Sequence, residues 1–183
     1  MTRAFVAIRP PPSVLDAIEA RVAPVEMPAG RRASRDQWHI TVQFLGNDAE
    51  LSAVATAFER DPLDLGAAEV SFGGADALGS RRRARILALE LDQGAQWTRA
   101  LAAQVERRLA PLGHLRDPRQ ETFRPHLTLA RFRKPSDLRP FSRAIGPEPV
   151  GPAWRVEEVV LYQSVLRPQG ALHVARARVP TGR

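Results

Sequence analysis

The chain has 183 residues, 44% hydrophobic and 26% charged, a balance that supports one compact domain with a real core. No apolar run approaches the ~20 residues of a membrane helix, and the absence of cysteine excludes disulfides and thiolate chemistry. The formal net charge is +7, almost all of it arginine, with Lys134 the only lysine. Such a surface suits a phosphate-rich partner, although an arginine-, alanine- and proline-rich genome would leave the same bias. The opening MTRAFVAIRPPP lacks the length of a secretory apolar region and a small-residue cleavage site, so a cytoplasmic location is expected.

In chain order, RAFVAI (3–8) reads as a strand. Prolines suited to a helix start follow, with Val14, Leu15, Ile18 and Val22 at helical spacing. WHITVQF (38–44) alternates, placing Ile40, Val42 and Phe44 on one face and His39, Thr41 and Gln43 on the other. A short helix is expected over LSAVATAFER (51–60), a strand over AAEVSFGG (67–74), a solvated turn at GSRRRA (79–84) and a strand at RILALEL (85–91). QWTRALAAQVERRLAPLG (96–113) is a helix closed by Pro and Gly. HLTLARF (126–132) is a strand, DLRPFSRAI (137–145) a broken helix, and WRVEEVVLYQSV (154–165) and ALHVARARV (171–179) are the last two strands.

The order strand, helix, His-x-Thr strand, helix, strand runs from Arg3 to Phe72 and again from Arg85 to Tyr162. His39 and His126 lie 87 positions apart (126 − 39), and Leu51 and Leu138 open the following helices at the same offset. This predicts an internal duplication, roughly 3–72 and 85–162, within one domain over 1–183. The expected class is α+β: bilobal, two β-α-β-α-β units about a pseudo-two-fold axis, with antiparallel-rich sheets lining a central cleft.

In a strand, residues i and i+2 share a face, so His39 stands with Thr41 and His126 with Thr128, opposite the apolar pairs Ile40/Val42 and Leu127/Leu129. Imidazole exchanges protons near neutral pH, and a threonine hydroxyl donates to a phosphoryl oxygen. Two such pairs face to face offer an acid, a base and two neutral donors around a phosphate. That set suits metal-free cleavage of a phosphodiester. A single His-x-Thr is ordinarily a surface pair; the repeat at corresponding places is what gives it weight. Neither motif has Asp, Glu or His at ligand spacing nearby, so no metal and no cofactor are expected. His114, in PLGHLRDP, reads as a surface residue, and His173, in the last strand, is a lesser candidate for the cleft wall.

With these stretches together, the chain resembles the 2H phosphoesterases, named for two His-x-Thr/Ser-x motifs, and within them the RNA 2′,3′-cyclic phosphodiesterases long called 2′-5′ RNA ligases. The matching stretches are RAFVAIRPP, WHITVQFLG, RILALEL, FRPHLTLARF and YQSVLRPQGALH, in the family's order across nearly the whole chain. One departure is visible: relatives usually carry an aromatic shortly after the glycine of the last motif, whereas Gly170 is followed here by Ala171, Leu172 and His173.

The resemblance implies hydrolysis of a 2′,3′-cyclic phosphate at an RNA 3′ end, leaving a 2′-phosphate. It implies His39 as general acid, His126 as general base, Thr41 and Thr128 as holders of the phosphate oxygens, and Arg131 near the phosphate. By alternation Arg131 should point away from His126, toward the core. Arg124 and Phe5 are further substrate-contact candidates, whereas Phe44 and Trp38 fall on the core face by parity. Arg81, Arg82 and Arg83 form either a solvated turn or a grip on RNA backbone. The expected partner is RNA with a 2′,3′-cyclic phosphate end or a small cyclic nucleotide, bound by a monomer with no membrane association. Two alternatives stay open: 2′-5′ RNA ligase activity, and a non-catalytic module that only grips a 3′-terminal phosphate.

Overall fold

A computed structural model of the chain describes residues 2–115, 123–168 and 170–182; Gln169, in the last matching stretch, and 116–122, after His114, lie outside the described residues. The strands are β1 (Arg3–Ile8), β2 (Gly30–Arg32), β3 (Ile40–Phe44), β4 (Ala68–Ala77), β5 (Ala84–Gln93), β6 (His126–Ser136), β7 (Val150–Val156), β8 (Glu158–Arg167) and β9 (Gly170–Pro180). The helices are α1 (Pro12–Val22), α2 (Leu51–Glu59), α3 (Ala95–Leu109) and α4 (Arg139–Ile145).

The strands form one sheet in the order β7-β4-β5-β6-β3-β1-β8-β9, with β2 added on β6, and every described pairing is antiparallel. The order is symmetric about its middle: the two His-x-Thr strands, β6 and β3, are neighbours, each followed outward by three more strands. They meet only at Ile40 opposite Leu127, so two four-stranded blocks splay from one point and leave a cleft on the face away from these two residues, both wholly buried.

Two expectations need correction here. WRVEEVVLYQSV is not one strand: it breaks at Glu157, β7 pairing with β4 at one end of the sheet and β8 with β1 near the other. The strand expected at 67–74 runs on to Ala77, and β4 pairs with β5 and β7. Each block therefore takes strands from both halves of the sequence.

Helices α1, α2 and α3 cover the apolar face. Val14, Leu15, Ile18 and Val22 of α1 are buried beside β7, Val54 and Phe58 of α2 beside β8 and β9, and Leu101, Ala102, Val105 and Leu109 of α3 beside β3 and α2. Burying each large side chain contributes about 1.5–3 kcal/mol, and Phe58, Leu101 and Leu109 are fully enclosed. α4 packs on β4, and Phe141 meets Phe132 at 5.4 Å between ring centroids. With α1, α2 and α3 on one side and α4 along the free edge of β4 beyond β7, the opposite face of the sheet carries the polar side chains of the repeated motif.

Candidate active site

His39 directly precedes β3 and His126 opens β6, so the junction at Ile40 and Leu127 brings the two motifs to the centre of the cleft. Both rings are anchored alike. His39 Nδ1 lies 2.6 Å from the Gln37 carbonyl, and His126 Nδ1 lies 2.7 Å from the Arg124 carbonyl. A carbonyl oxygen only accepts, so Nδ1 carries the proton in each ring, and Nε2 is the nitrogen left for chemistry. His39 Nε2 is 3.1 Å from the Thr41 hydroxyl.

The two anchoring carbonyls are themselves held. Gln37 closes a short 3₁₀ turn whose capping pair is Ser34 and Gln37, and its side-chain amide donates to the Ala171 carbonyl at 2.8 Å. Arg124 precedes Pro125, which disfavours the helical region for it, and its guanidinium is paired with Glu90. The residue expected to touch phosphate thus gives His126 its carbonyl, while its charge is engaged by Glu90, itself opposite His126 on β5.

Alternation fails just beyond each threonine, for the same reason in both strands. Ala7 pairs with Thr41 but Val6 with Gln43, leaving Val42 as an extra residue in β3; Ala88 pairs with Thr128 but Leu87 with Ala130, leaving Leu129 extra in β6. Such a bulge puts two consecutive side chains inward and re-aims the next one. Accordingly Val42 and Gln43 are both buried, as are Leu129 and Ala130. Gln43, expected beside His39 and Thr41, turns inward and donates to the His114 carbonyl at 2.8 Å. Phe44, expected in the core, is 46% exposed beneath the Arg3 guanidinium, 5.1 Å from the ring centroid. Arg131, expected to face the core, instead reaches back toward Thr128, with Nη2 3.5 Å from Oγ1. Phe44 and Arg131 occupy the same offset, five residues after their histidines, so equivalent bulges present an aromatic on one side and a cation on the other.

Phe5 is nine-tenths buried or more, stacked on His39 at 4.6 Å between centroids and 26° between planes. His173 belongs to the site: its ring meets Phe5 edge-on at 4.9 Å and His39 at 5.0 Å. Trp38 is buried as packing, and His114 is half-buried rather than free on the surface. Glu90 and Arg3 were not expected at the site. Glu90 had a signal, a lone carboxylate inside the apolar run RILALEL; Arg3 had none.

The charges leave an excess of positive potential. Desolvation, then the neighbouring His173, push His39 down to about 3, with Arg131 and His126 adding to the effect against the favourable Gln37 carbonyl. His126 is lowered as well, by burial first, while its hydrogen bond to the Arg124 carbonyl and the Glu90 charge work the other way. Burial and the Arg3 charge depress Arg131. Burial is the first cause in all three, and the repulsion that adds to it is of the kind a bound anion relieves. Among the described residues no three His, Cys, Asp or Glu side chains come together as metal ligands.

A family model, the 2′-5′ RNA ligase superfamily, matches residues 10–167. The chain belongs to that superfamily, the 2H phosphoesterases. An RNA 2′,3′-cyclic phosphodiesterase of Aeropyrum pernix is 28% identical over 141 residues, covering 75% of this chain and 78% of the relative. Among solved structures, a phosphoesterase superposes with a TM-score of 0.77 at 23% identity over the full length of both chains. E. coli LigT in complex with NADP⁺ superposes at 0.73 and 25% identity, over 100% of this chain and 99% of that one. The likeness covers all the strands and helices that build the cleft, and no described helix is long and apolar enough to cross a membrane.

Proposed function

We propose that this enzyme hydrolyses RNA or nucleoside 2′,3′-cyclic phosphates to 2′-phosphates with His39 as acid and His126 as base, and without a metal. The observation that carries the reading is the matched anchoring of the two rings: each Nδ1–H is tied to the carbonyl two residues back, so each Nε2 is free for proton transfer. Water loses its proton to His126 Nε2 as its oxygen bonds to phosphorus. The P–O3′ bond breaks, and O3′ takes a proton from Nε2 of His39 in its doubly protonated form, Nδ1–H staying on the Gln37 carbonyl. Thr41, Thr128 and Arg131 supply the donors for the non-bridging oxygens. The Aeropyrum relative bears the same activity in its name. NADP⁺, bound by E. coli LigT, carries a ribose 2′-phosphate, the group the proposed product would bear.

The direct test is incubation with adenosine 2′,3′-cyclic phosphate in excess EDTA. Adenosine 2′-phosphate should accumulate at an undiminished rate; a strict need for added Mg²⁺ or Zn²⁺ rules out the two-histidine mechanism, and formation of the 3′-phosphate reverses which oxygen leaves. Joining of RNA ends through a 2′-5′ linkage is the reverse type of reaction at the same groups, and it should appear only when a 5′-hydroxyl RNA is supplied in excess.

The hydroxyls have their own test. Thr41→Val and Thr128→Val keep shape and remove the donor, and a lost hydrogen bond to a charged phosphate costs about 1.5–3 kcal/mol. Each variant should lose that much in kcat/KM, and full activity in both would mean that neither hydroxyl touches the phosphate.

A further inference from the structure

Beyond the cleft centre, a hollow of about 410 Å³ opens where β4 meets α4, lined by Gly74, Asp76, Arg81, Arg139, Ser142 and Arg143 among others. It lies at the edge of β4 beyond the end of β7, where the Ala75 amide donates to the Gly146 carbonyl, and Asp76 in its wall belongs to the row that reaches the active site. Asp76 on β4 is opposite Ala88 on β5, and Ala88 is opposite Thr128 on β6, so the three residues form one row across the strands. Paired residues of adjacent strands point to the same side, and two strand spacings put Asp76 about 10 Å from Thr128. The charges run on without a gap. Glu90, opposite His126, holds Arg124; Arg124 acts on Asp76, and Glu90 on Arg81.

The acids in and beside the hollow, Asp76 and Asp137, are already engaged. Arg81 grips Asp76 with Nε and Nη2 at 2.9 and 2.6 Å, which fixes the guanidinium in place, and Arg139 does the same with Asp137 at 2.9 and 2.6 Å. Arg143, one turn along α4 from Arg139, is exposed and donates to no acceptor among the described residues. One wall is backbone: a Cβ on Gly74 would stand 2.5 Å from Pro147, so only glycine lets the turn after α4 come this close. The result is a recess with three arginines, two of them preset and one uncommitted, at the sheet edge in line with the row that holds Thr128.

We infer that this recess is a phosphate subsite that takes the RNA backbone on the 5′ side of the cyclic phosphate, so that oligoribonucleotides are held at two points and mononucleotides at one. The inference rests on the catalytic reading above and extends it to substrate length. Arginine suits the task because its fork matches phosphate oxygens, and the guanidiniums preset by carboxylates lose less freedom on binding.

The test compares adenosine 2′,3′-cyclic phosphate with a hexaribonucleotide ending in the same group, using Arg143→Glu and the double variant Arg139→Gln/Arg143→Gln. Arg143 is exposed and Arg139 is paired only with its near neighbour, so both variants should keep the wild-type melting temperature. The KM for the hexamer should rise about tenfold or more, and its log–log dependence on salt should flatten by about 0.7 for each phosphate that is no longer gripped. Turnover of the mononucleotide should not change. Equal effects on both substrates, or none on either, overturn the inference. Loss of pyrophosphate binding with an unchanged hexamer KM would assign the recess to a small free anion and also overturn it. If wild-type protein cleaves neither substrate, the catalytic reading has failed. The subsite is then decided by fluorescence anisotropy of a labelled hexamer, which the variants should bind about tenfold more weakly.

Discussion

His126→Ala and His39→Ala are each expected to lower turnover of a 2′,3′-cyclic phosphate by about 10²- to 10⁴-fold, the scale of one positioned acid or base. Both rings sit on the cleft face, with the buried Ile40 and Leu127 turned the other way, so the variants should remain folded. The double variant should lose less than the product of the two, because groups acting on one displacement are not additive. The substrate separates the roles. A nitrophenyl phosphodiester expels a leaving group that needs no proton, so His39→Ala should recover most of its activity on it and His126→Ala should not. The opposite pattern would exchange acid and base. Full activity in either single variant would remove the mechanism.

The exchange of roles is a real alternative, because the charges of the free site lean toward it. Glu90 favours a proton on His126, whereas burial and His173 hold His39 down to about 3. At pH 7 the free protein therefore carries His39 neutral, and for it to act as acid its proton must arrive with the substrate. An anionic phosphate among Arg131, His126 and His39 supplies the missing counter-charge. Binding of adenosine 2′-phosphate should thus take up a proton, and affinity should rise as pH falls from 8 toward 5, by at most tenfold per unit for one proton. Calorimetry in buffers of different ionisation enthalpy reads the uptake directly, and His39→Gln should abolish it. Uptake that survives His39→Gln and vanishes in His126→Gln would place the acid on the other strand.

The same depressed value has a consequence for folding, with a definite sign. An unfolded histidine titrates near 6.5, and the folded protein resists protonating His39 until about 3. Above 6.5 neither state binds the proton and stability is unaffected. Between 6.5 and about 3 the unfolded chain binds more protons, so stability falls as pH falls, by up to about 1.4 kcal/mol per unit for this residue. Urea midpoints across that window should decline less steeply in His39→Gln than in the parent.

The catalytic candidates were legible because they repeat. The spacing of His39 and His126, and their place beside Ile40 and Leu127, located the cleft without any knowledge of how the strands pair. Face assignment held for His39, Thr41, His126 and Thr128, all before the bulges, and failed for Gln43, Phe44 and Arg131, all after them. Nothing in TVQF or TLAR marks an inserted residue, since Val42 and Leu129 are ordinary strand residues; the bulge is visible only in the partners, β1 and β5. The break at Glu157 was hidden for a related reason. WRVEEVVLYQSV is strand-forming on both sides of its two glutamates, a weak interruption, and only the two different neighbours of β7 and β8 reveal that it is two strands. His173 was undervalued because the rings it meets, Phe5 and His39, stand on other strands far away in the chain.

The exchange of β4 and β8 between blocks bears on how the chain can be cut. A break at the turn near Gly79 would release one piece that owns β1 and β3 but lacks β8 and β9, and a second that owns β5 and β6 but lacks β4. Neither piece could close its own edge: β1 in the first and β5 in the second would each expose a row of unpaired amides and carbonyls to any other strand available. Expressed separately, the pieces should be insoluble; expressed together, they should find each other, since each supplies the strand the other is missing. The protein is thus suited to splitting into a reporter whose activity returns only on reassembly, with His39 on one fragment and His126 on the other.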